Sequence, residues 1–224
     1  DQYLEFGRKW GEIHHYPYMK GLETHPEILE IVKTEKDTYA FGNVWHSDGS
    51  FTEIPPKATM LYAQELPPAG GDTLFANMVE AYERLPDSIK DKIAGKIAVH
   101  DIARVFADRL SKTAEQLRET YPVMEHPVVR THPETGANVL YVNNAFTSHI
   151  KGMDEDESKE LLQALYRTAS NPELQCRFRW KAGSLAFWDN RACQHFASSD
   201  YFPQVRKMER VTIAGDKPYF KTAV

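Results

Sequence analysis

Cysteine is scarce in this 224-residue chain, which contains only Cys176 and Cys193. Two cysteines are too few for a disulfide scaffold, so we expect a reducing, cytoplasmic environment. No apolar run approaches the ~20 residues that a membrane span needs, and the polar start does not resemble a signal peptide. A basic surplus is also missing, because 27 Lys and Arg stand against 32 Asp and Glu, a net charge of -5. These absences argue against membrane and nucleic-acid partners.

The pattern of short β-rich runs predicts the fold. The chain is 42% hydrophobic and 26% charged, which suits one folded domain over residues 1–224. Turn signals such as Pro-Pro and Gly-Gly separate the runs, which predicts a mostly β protein with flanking helices and a double-stranded β-helix (jelly-roll, cupin-like) core. The predicted strands are Glu27–Val32, Thr59–Gln64, Thr73–Ala76, Pro127–Thr131, Val139–Val142, Cys176–Trp180, Ser184–Trp188 and Arg210–Ala214.

Helical periodicity is confined to a few segments. Residues 1–10 and Met78–Arg84 suit helices, and another short helix is expected after Pro86. The best pattern spans Asp154–Ala169, with an acidic first turn, an apolar stripe and Asn-Pro after its end. Residues 107–125 are polar, charged and weakly helical, which predicts a lid or insertion.

The segment Trp45-His46-Ser47-Asp48 is the most informative for chemistry. On an extended strand an i, i+2 pair points both side chains to one face, so the imidazole of His46 and the carboxylate of Asp48 converge. Such a pair supplies two of the three ligands of a 2-His-1-carboxylate site for non-haem Fe(II). The alternative is an unremarkable His and Asp in a polar turn.

A metal site of this kind needs a second histidine from a distant part of the chain. His195 is favoured because it follows the apolar run at 185–188 and a turn, so that a core strand would deliver it to the end of a sheet. His126 and His132 lie beside prolines and turns, which predicts surface positions, and His25-Pro26 suggests the same. The full set of other candidates is His14, His15, His25, His100, His126, His132 and His149.

Two arginines follow His195 at an i, i+4 spacing. If the stretch is extended, Arg206 and Arg210 face the same side, next to the metal, where each could pair with a carboxylate or sulfonate. Two anionic small molecules could then bind there. The alternative is a pair of surface arginines held by Asp200 or Glu209.

Together these segments closely resemble the taurine dioxygenase family of Fe(II)- and 2-oxoglutarate-dependent oxygenases, which includes alkylsulfate and aryloxyalkanoate dioxygenases. The resemblance runs from about Phe6 to Pro218. It begins partway through the family pattern, since members carry further N-terminal strands ahead of the helix that starts here at Asp1. The motifs, in order, are W-H-S-D (Trp45–Asp48), E-L-P-P-A-G-G-D-T-L (Glu65–Leu74), H-P-V-V-R-T-H-P-E-T-G (His126–Gly136), W-D-N-R-x-x-x-H (Trp188–His195) and R-x-x-x-R (Arg206–Arg210).

The resemblance implies a role for each matching residue. His46, Asp48 and His195 would bind Fe(II), and Thr73 and Arg206 would hold the distal carboxylate of 2-oxoglutarate. Asp189, Asn190 and Arg191 would fix a turn. The implied reaction consumes O2 and hydroxylates a small anionic organic substrate while 2-oxoglutarate becomes succinate and CO2.

The resemblance also indicates a substrate pocket. Arg210 would bind the substrate's anionic group, Asn43 corresponds to an asparagine that members carry before W-H, and Phe106 to an aromatic residue that packs on the substrate. Tyr16 stands where taurine-specific members have a sulfonate-binding histidine, unless a one-residue shift brings His15 there. A phenol in place of an imidazole favours a larger or less zwitterionic anion than taurine.

Other functions remain open at this point. Taurine dioxygenase proper is one alternative, a zinc hydrolase with the same three ligands is another, and a non-enzymatic binding module is a third. We also expect a homo-oligomer.

Overall fold

The computed structural model describes residues 1–15, 21–37 and 42–221. In these ranges the helices are α1 (Gln2–Arg8), α2 (Met78–Glu83), α3 (Asp87–Ile93), α4 (Ala103–Leu110), α5 (Ala114–Thr120) and α6 (Glu155–Ala169), with a 3-10 turn at Pro172–Leu174. The strands are β1 (Leu29–Lys33), β2 (Ala58–Glu65), β3 (Thr73–Asn77), β4 (Ile97–His100), β5 (Met124–Pro127), β6 (Val129–Thr131), β7 (Asn138–Leu140), β8 (Thr147–Ile150), β9 (Gln175–Phe178), β10 (Leu185–Asp189), β11 (Cys193–Ala197) and β12 (Arg206–Ile213). None of these helices is long and apolar enough to span a membrane.

Two antiparallel sheets form the centre of the fold. One has the strand order β1-β12-β2-β10 and the other β11-β3-β9. Leu61 and Met208 of the first sheet pack in one cluster with Phe75 and Phe178 of the second. The two sheets therefore face each other across a shared core, as in a jelly roll, and the predicted mostly β architecture is confirmed.

Helix α6 shows how local sequence sets an element. The Asp154 side chain accepts hydrogen bonds from the backbone N–H groups of Asp156 and Glu157, which caps the first turn. Three leucines at 161, 162 and 165 are buried in the largest core cluster. The helix ends just before Asn171-Pro172, because a residue that precedes proline disfavours the helical conformation. The predicted span, Asp154–Ala169, matches the structure to within its capping residue.

Strands β4, β5, β8 and β11 are not among the predicted ones, apart from Pro127 at the end of β5. Each has only four or five residues, too few to display a clear alternation. The omission of β11 makes one expectation wrong: β10 does not deliver His195 to the end of a sheet. The chain reverses after Asp189, and His195 lies in the middle of β11, opposite Phe75 of β3.

The polar segment 107–125 contains the end of α4, all of α5 and the start of β5. It nevertheless contributes to the core, because Leu117 is fully buried in a cluster with Phe51 and Phe146. The segment therefore packs onto the loop that follows Asp48. Its movement as a lid stays a prediction.

Candidate functional site

His46, Asp48 and His195 form a buried cluster between the two central sheets. The backbone of His46 pairs with that of His195 in both directions, with N–H to O distances of 3.2 and 2.9 Å. The Nε2 atoms of the two imidazoles each lie 3.7 Å from Oδ1 of Asp48. One possible ligand atom from each residue falls within 4.8 Å of the others. The three residues that the sequence predicts as metal ligands therefore lie together, although His46 makes an isolated bridge and does not lie in a strand.

Hydrogen bonds hold the ring of His46 and the backbone of Asp48 in place. Nδ1 of His46 lies 2.6 Å from the carbonyl oxygen of Val44, which can only accept, so Nδ1 carries the proton and Nε2 keeps its lone pair. The side chain of Asn190 accepts from the N–H of Asp48 at 2.7 Å and donates to the Asp48 carbonyl at 2.9 Å. It also donates to the Pro56 carbonyl at 2.8 Å. Asn190 therefore fixes the backbone of the carboxylate ligand, which agrees with its predicted structural role.

The charges suit a divalent cation. Burial lowers the pKa of His195 to about 3 and also lowers the pKa of His46, so both imidazoles are neutral near pH 7. Burial alone would raise the pKa of Asp48, but the guanidinium of Arg210, 2.8 Å from Oδ2, holds it at about 2. Thr59 donates a further hydrogen bond to Oδ2 at 3.0 Å. Two neutral imidazoles and a carboxylate with Oδ1 facing them fit Fe(II).

A cavity on one side of this cluster contains Arg206 and Thr73. Arg206 is 7% exposed, and its Nε and Nη2 have no hydrogen-bond partner among the described residues. Its guanidinium carbon lies 5.8 Å from the ring centroid of Trp180, whose indole N–H donates to Thr73 at 3.0 Å. Burial lowers the pKa of Arg206, yet a guanidinium stays charged in proteins. A buried cation with unpaired donors calls for an anion, and the carboxylate of 2-oxoglutarate fits it.

A second cavity is also lined by His46, together with Asp48. Its walls are mainly apolar, and its empty volume is about 530 Å³, part of it open to solvent. The rings of Phe51, Phe106 and Phe146 contact one another along it. Gly42, His46 and Arg210 line this cavity and the Arg206 cavity alike. We call the cavity with the three phenylalanines the substrate cavity and the cavity with Arg206 the cosubstrate cavity, after the roles that the sequence resemblance implies.

The arginine pair lies on β12 as the spacing predicts. Residues 206, 208 and 210 are buried while 207 and 209 are partly exposed, so both guanidiniums point into the protein. Asp200 accepts instead from the backbone N–H of Gly71. The alternative of two surface arginines held by Asp200 or Glu209 is therefore wrong.

The remaining predicted substrate residues differ in their placement. Phe106 is buried in the wall of the substrate cavity, and Asn43 lines the same cavity from an exposed position. His15 is exposed and is absent from the described lining of both cavities, so its position gives no support to a substrate-binding role. Tyr16 lies outside the described residues. Burial, together with the positive charge of Arg210, lowers the pKa of the neighbouring His14.

Two histidines are buried where the sequence indicated the surface. His126 is 2% exposed and bonds the Thr52 carbonyl at 2.9 Å, while His132 is 4% exposed and bonds Asp189 at 3.0 Å. Each finds its partner more than fifty residues away in sequence, which the adjacent prolines could not reveal. Neither belongs to the His-Asp-His cluster.

Sequence reasoning missed Thr59 and Arg109. Thr59 lies on β2 and reaches Asp48 only because β2 pairs with β12, which carries Arg210. Arg109 lies on α4 and lines the substrate cavity. An inward-facing Thr on a predicted strand could have suggested the first, but no local pattern distinguishes the second from a surface arginine.

Comparisons with known proteins agree with this geometry. An α-ketoglutarate-dependent sulfate ester dioxygenase from Pseudomonas putida is 40% identical over 185 residues, 79% of this chain and 61% of that protein. An α-ketoglutarate-dependent 2,4-dichlorophenoxyacetate dioxygenase from Burkholderia is 35% identical over 175 residues, 77% of this chain and 58% of that protein. The chain thus spans about three-fifths of the length of these relatives.

A solved structure supports the same assignment. A taurine dioxygenase from Burkholderia xenovorans superposes with a TM-score of 0.82 at 36% identity, covering 97% of this chain and 72% of that one. The jelly-roll core predicted from the sequence is confirmed by this likeness. The model of the taurine catabolism dioxygenase TauD, TfdA family matches residues 1–212. Since that match takes in all but the last twelve residues, the chain belongs to the TauD/TfdA family.

Proposed function

We propose that this protein is an Fe(II)- and 2-oxoglutarate-dependent dioxygenase that hydroxylates a small anionic organic substrate: a sulfonate, a sulfate ester or an aryloxyalkanoate. One observation carries the proposal. The guanidinium of Arg206, 7% exposed and with two unpaired donors, lines a cavity together with His195 and His46 of the His-Asp-His cluster. A metal site next to a buried anion site is what a metal-chelating dicarboxylate needs.

The chain's own residues divide the work. His46, Asp48 and His195 would hold Fe(II), and Arg206 with Thr73 would bind the distal carboxylate of 2-oxoglutarate. Arg210 would bind the anionic group of the substrate from the wall that the two cavities share. When bound, Fe(II) and 2-oxoglutarate with O2 supply the oxidation of a C–H bond, with release of succinate and CO2.

The apolar wall serves positioning and exclusion of water. Phe51, Phe106 and Phe146 offer the substrate an apolar surface without hydrogen-bond donors, and the anion bound at Arg210 sets the orientation of the substrate against it. The same rings keep bulk water away from the metal side of the cavity. Asn190 and Thr59 hold Asp48 in place during turnover.

A zinc hydrolase, the rival from another class, has no use for a second anion site. Its activated water needs the three ligands and an open position only. The buried Arg206 and the named relatives both favour the oxygenase over the hydrolase and over a non-enzymatic binding module.

An anaerobic titration with Fe(II) and 2-oxoglutarate tests the proposal. A visible metal-to-ligand charge-transfer band should form, and it should be absent from the His195→Ala variant. A succinate-release screen should then compare taurine, an alkyl sulfonate, an alkylsulfate ester and an aryloxyalkanoate. Neither a band nor succinate with any of them would refute the dioxygenase, and taurine as the best substrate would favour the taurine dioxygenase proper.

The cytoplasmic location and the absence of a nucleic-acid partner are inferred from composition. A cytoplasmic location is supported by two cysteines that are both free thiols. The predicted homo-oligomer can be checked by analytical ultracentrifugation. The net charge of -5 supports the prediction that nucleic acid is not a partner.

A further inference from the structure

The substrate cavity contains a second guanidinium that the proposed mechanism does not use. Arg109 lies on α4, three residues after Phe106 and four after Val105, so the three side chains share one helix face. All three line the substrate cavity. The guanidinium carbon of Arg109 lies 5.9 Å from the ring centroid of Phe106.

The two arginines belong to different walls. Arg210 comes from β12 and also faces the cosubstrate cavity, whereas Arg109 comes from α4 and is found only in the described lining of the substrate cavity. The phenylalanine cluster provides an apolar surface beside them. A substrate that reaches along these rings with an anion at Arg210 meets a second positive charge at Arg109.

The acidic side chain that lines the substrate cavity already has partners. Asp48 is the only acidic residue in its described lining, and its two oxygens serve the metal cluster, Thr59 and Arg210. The stretches 16–20 and 38–41, which lie outside the described residues, contain no Asp or Glu in their sequence. No carboxylate is therefore left to receive an ammonium group, and an ammonium near Arg109 would be repelled at low effective dielectric.

We propose that Arg109 is a specificity-determining residue that binds a second anionic group of the substrate, so that the cavity prefers organic dianions, such as a sulfonate with a distal carboxylate. The inference rests on the proposed function and narrows its substrate class. Arg109 would select by attraction for the distal anion and by repulsion of a distal ammonium, which is the group that taurine carries.

Three probes of similar length test this selection: 3-sulfopropanoate, propane-1-sulfonate and 3-aminopropane-1-sulfonate, which end in a carboxylate, a methyl and an ammonium. Calorimetry on the anaerobic Fe(II) and 2-oxoglutarate complex gives Kd, and succinate release gives kcat/KM. The variants are Arg109→Gln and, as a matched control, Lys112→Gln. Lys112 is exposed and just beyond α4, and its replacement removes the same charge outside the described cavity lining.

We expect the wild-type protein to bind 3-sulfopropanoate tightest and 3-aminopropane-1-sulfonate weakest. Arg109→Gln should raise the Kd of 3-sulfopropanoate at least about tenfold, because one charge-assisted contact is lost. Arg109→Gln should change the Kd of propane-1-sulfonate by less than about twofold, and Lys112→Gln should leave the order of the three Kd values unchanged. An unchanged melting temperature of Arg109→Gln would exclude a folding effect.

Two results would overturn the inference alone: wild-type preference for the ammonium probe, or an equal loss for all three probes in Arg109→Gln. Failure of the wild-type protein to release succinate with any sulfonate, sulfate ester or aryloxyalkanoate would instead overturn the proposed function. Calorimetry separates the cases, since it measures the preference for the dianion without turnover.

Discussion

Replacing Arg206 with Met should stabilise the ligand-free protein or leave its stability unchanged, and it should greatly reduce the stabilisation by 2-oxoglutarate. The methionine keeps the unbranched stem and removes a cation that is 7% exposed and has two unpaired donors. An unsatisfied buried polar group costs about 1–3 kcal/mol, so the free energy of unfolding without ligand should rise by up to about that amount. Loss of the ring contact with Trp180 offsets part of this gain.

The stabilisation by bound 2-oxoglutarate should change in the opposite direction and become smaller. Loss of a buried partner for a carboxylate weakens binding by about 2–5 kcal/mol, which is roughly 30-fold to several-thousand-fold in Kd. At a 2-oxoglutarate concentration of 100 times the wild-type Kd, the wild-type protein gains about 2.7 kcal/mol of stability. At the same concentration Arg206→Met should gain at most about 0.9 kcal/mol.

Urea unfolding followed by tryptophan fluorescence measures both quantities, under anaerobic Fe(II) with and without 2-oxoglutarate. Arg84→Met is the control, because Arg84 is exposed and pairs with Glu80 and Glu173. It should change the free energy of unfolding by less than about 1 kcal/mol and keep the full ligand response. If Arg206→Met loses more than about 2 kcal/mol without ligand yet keeps the 2-oxoglutarate gain, Arg206 is a structural residue and the reasoning fails.

Three further outcomes follow from the site. His195→Ala should abolish Fe(II) binding in equilibrium dialysis while circular dichroism stays unchanged, and stoichiometric iron in the variant would disprove the assignment. Asn190→Ala leaves the N–H of Asp48 and the carbonyls of Asp48 and Pro56 without a hydrogen-bond partner. It should lower the free energy of unfolding by about 3 kcal/mol and weaken metal binding about 10- to 100-fold. A metal affinity equal to wild type would contradict the positioning role of Asn190. Burial lowers the pKa of His126 to about 4 from 6.5, so the wild-type protein should lose up to about 3 kcal/mol as the pH falls from 6.5 to 4. His126→Gln lacks this loss, so its stability deficit should shrink toward acid pH in urea titrations, and a constant deficit would exclude the explanation.

Local geometry explains what the sequence could reveal. In any extended segment, residues separated by an even number of positions lie on the same face. The common face of Arg206 and Arg210 on β12 therefore followed from their spacing alone. The cap and apolar stripe of α6 are likewise contained within sixteen residues. Both features needed only neighbours along the chain, whereas the surface positions expected for His126 and His132 from their adjacent prolines were wrong.

Long-range pairing explains the rest. Burial of His126 and His132 is possible because they form hydrogen bonds with Thr52 and Asp189, and neither partner is near in sequence. His195 reaches its position through pairing of β11 with β3, more than a hundred residues earlier. Arg109 lines the substrate cavity only because α4 packs beside the loop after Asp48. Such contacts depend on the completed fold.

The wall shared by the two cavities has a thermodynamic consequence. Gly42, His46 and Arg210 line both, so a ligand on one side changes the surface that the other ligand meets. The two binding free energies are then linked. If bound substrate changes the affinity for the cosubstrate by some factor, bound cosubstrate must change the affinity for the substrate by the same factor. A substitution at Arg210 therefore alters both dissociation constants and their coupling at once. Its effect on either ligand has to be measured with the other ligand both present and absent.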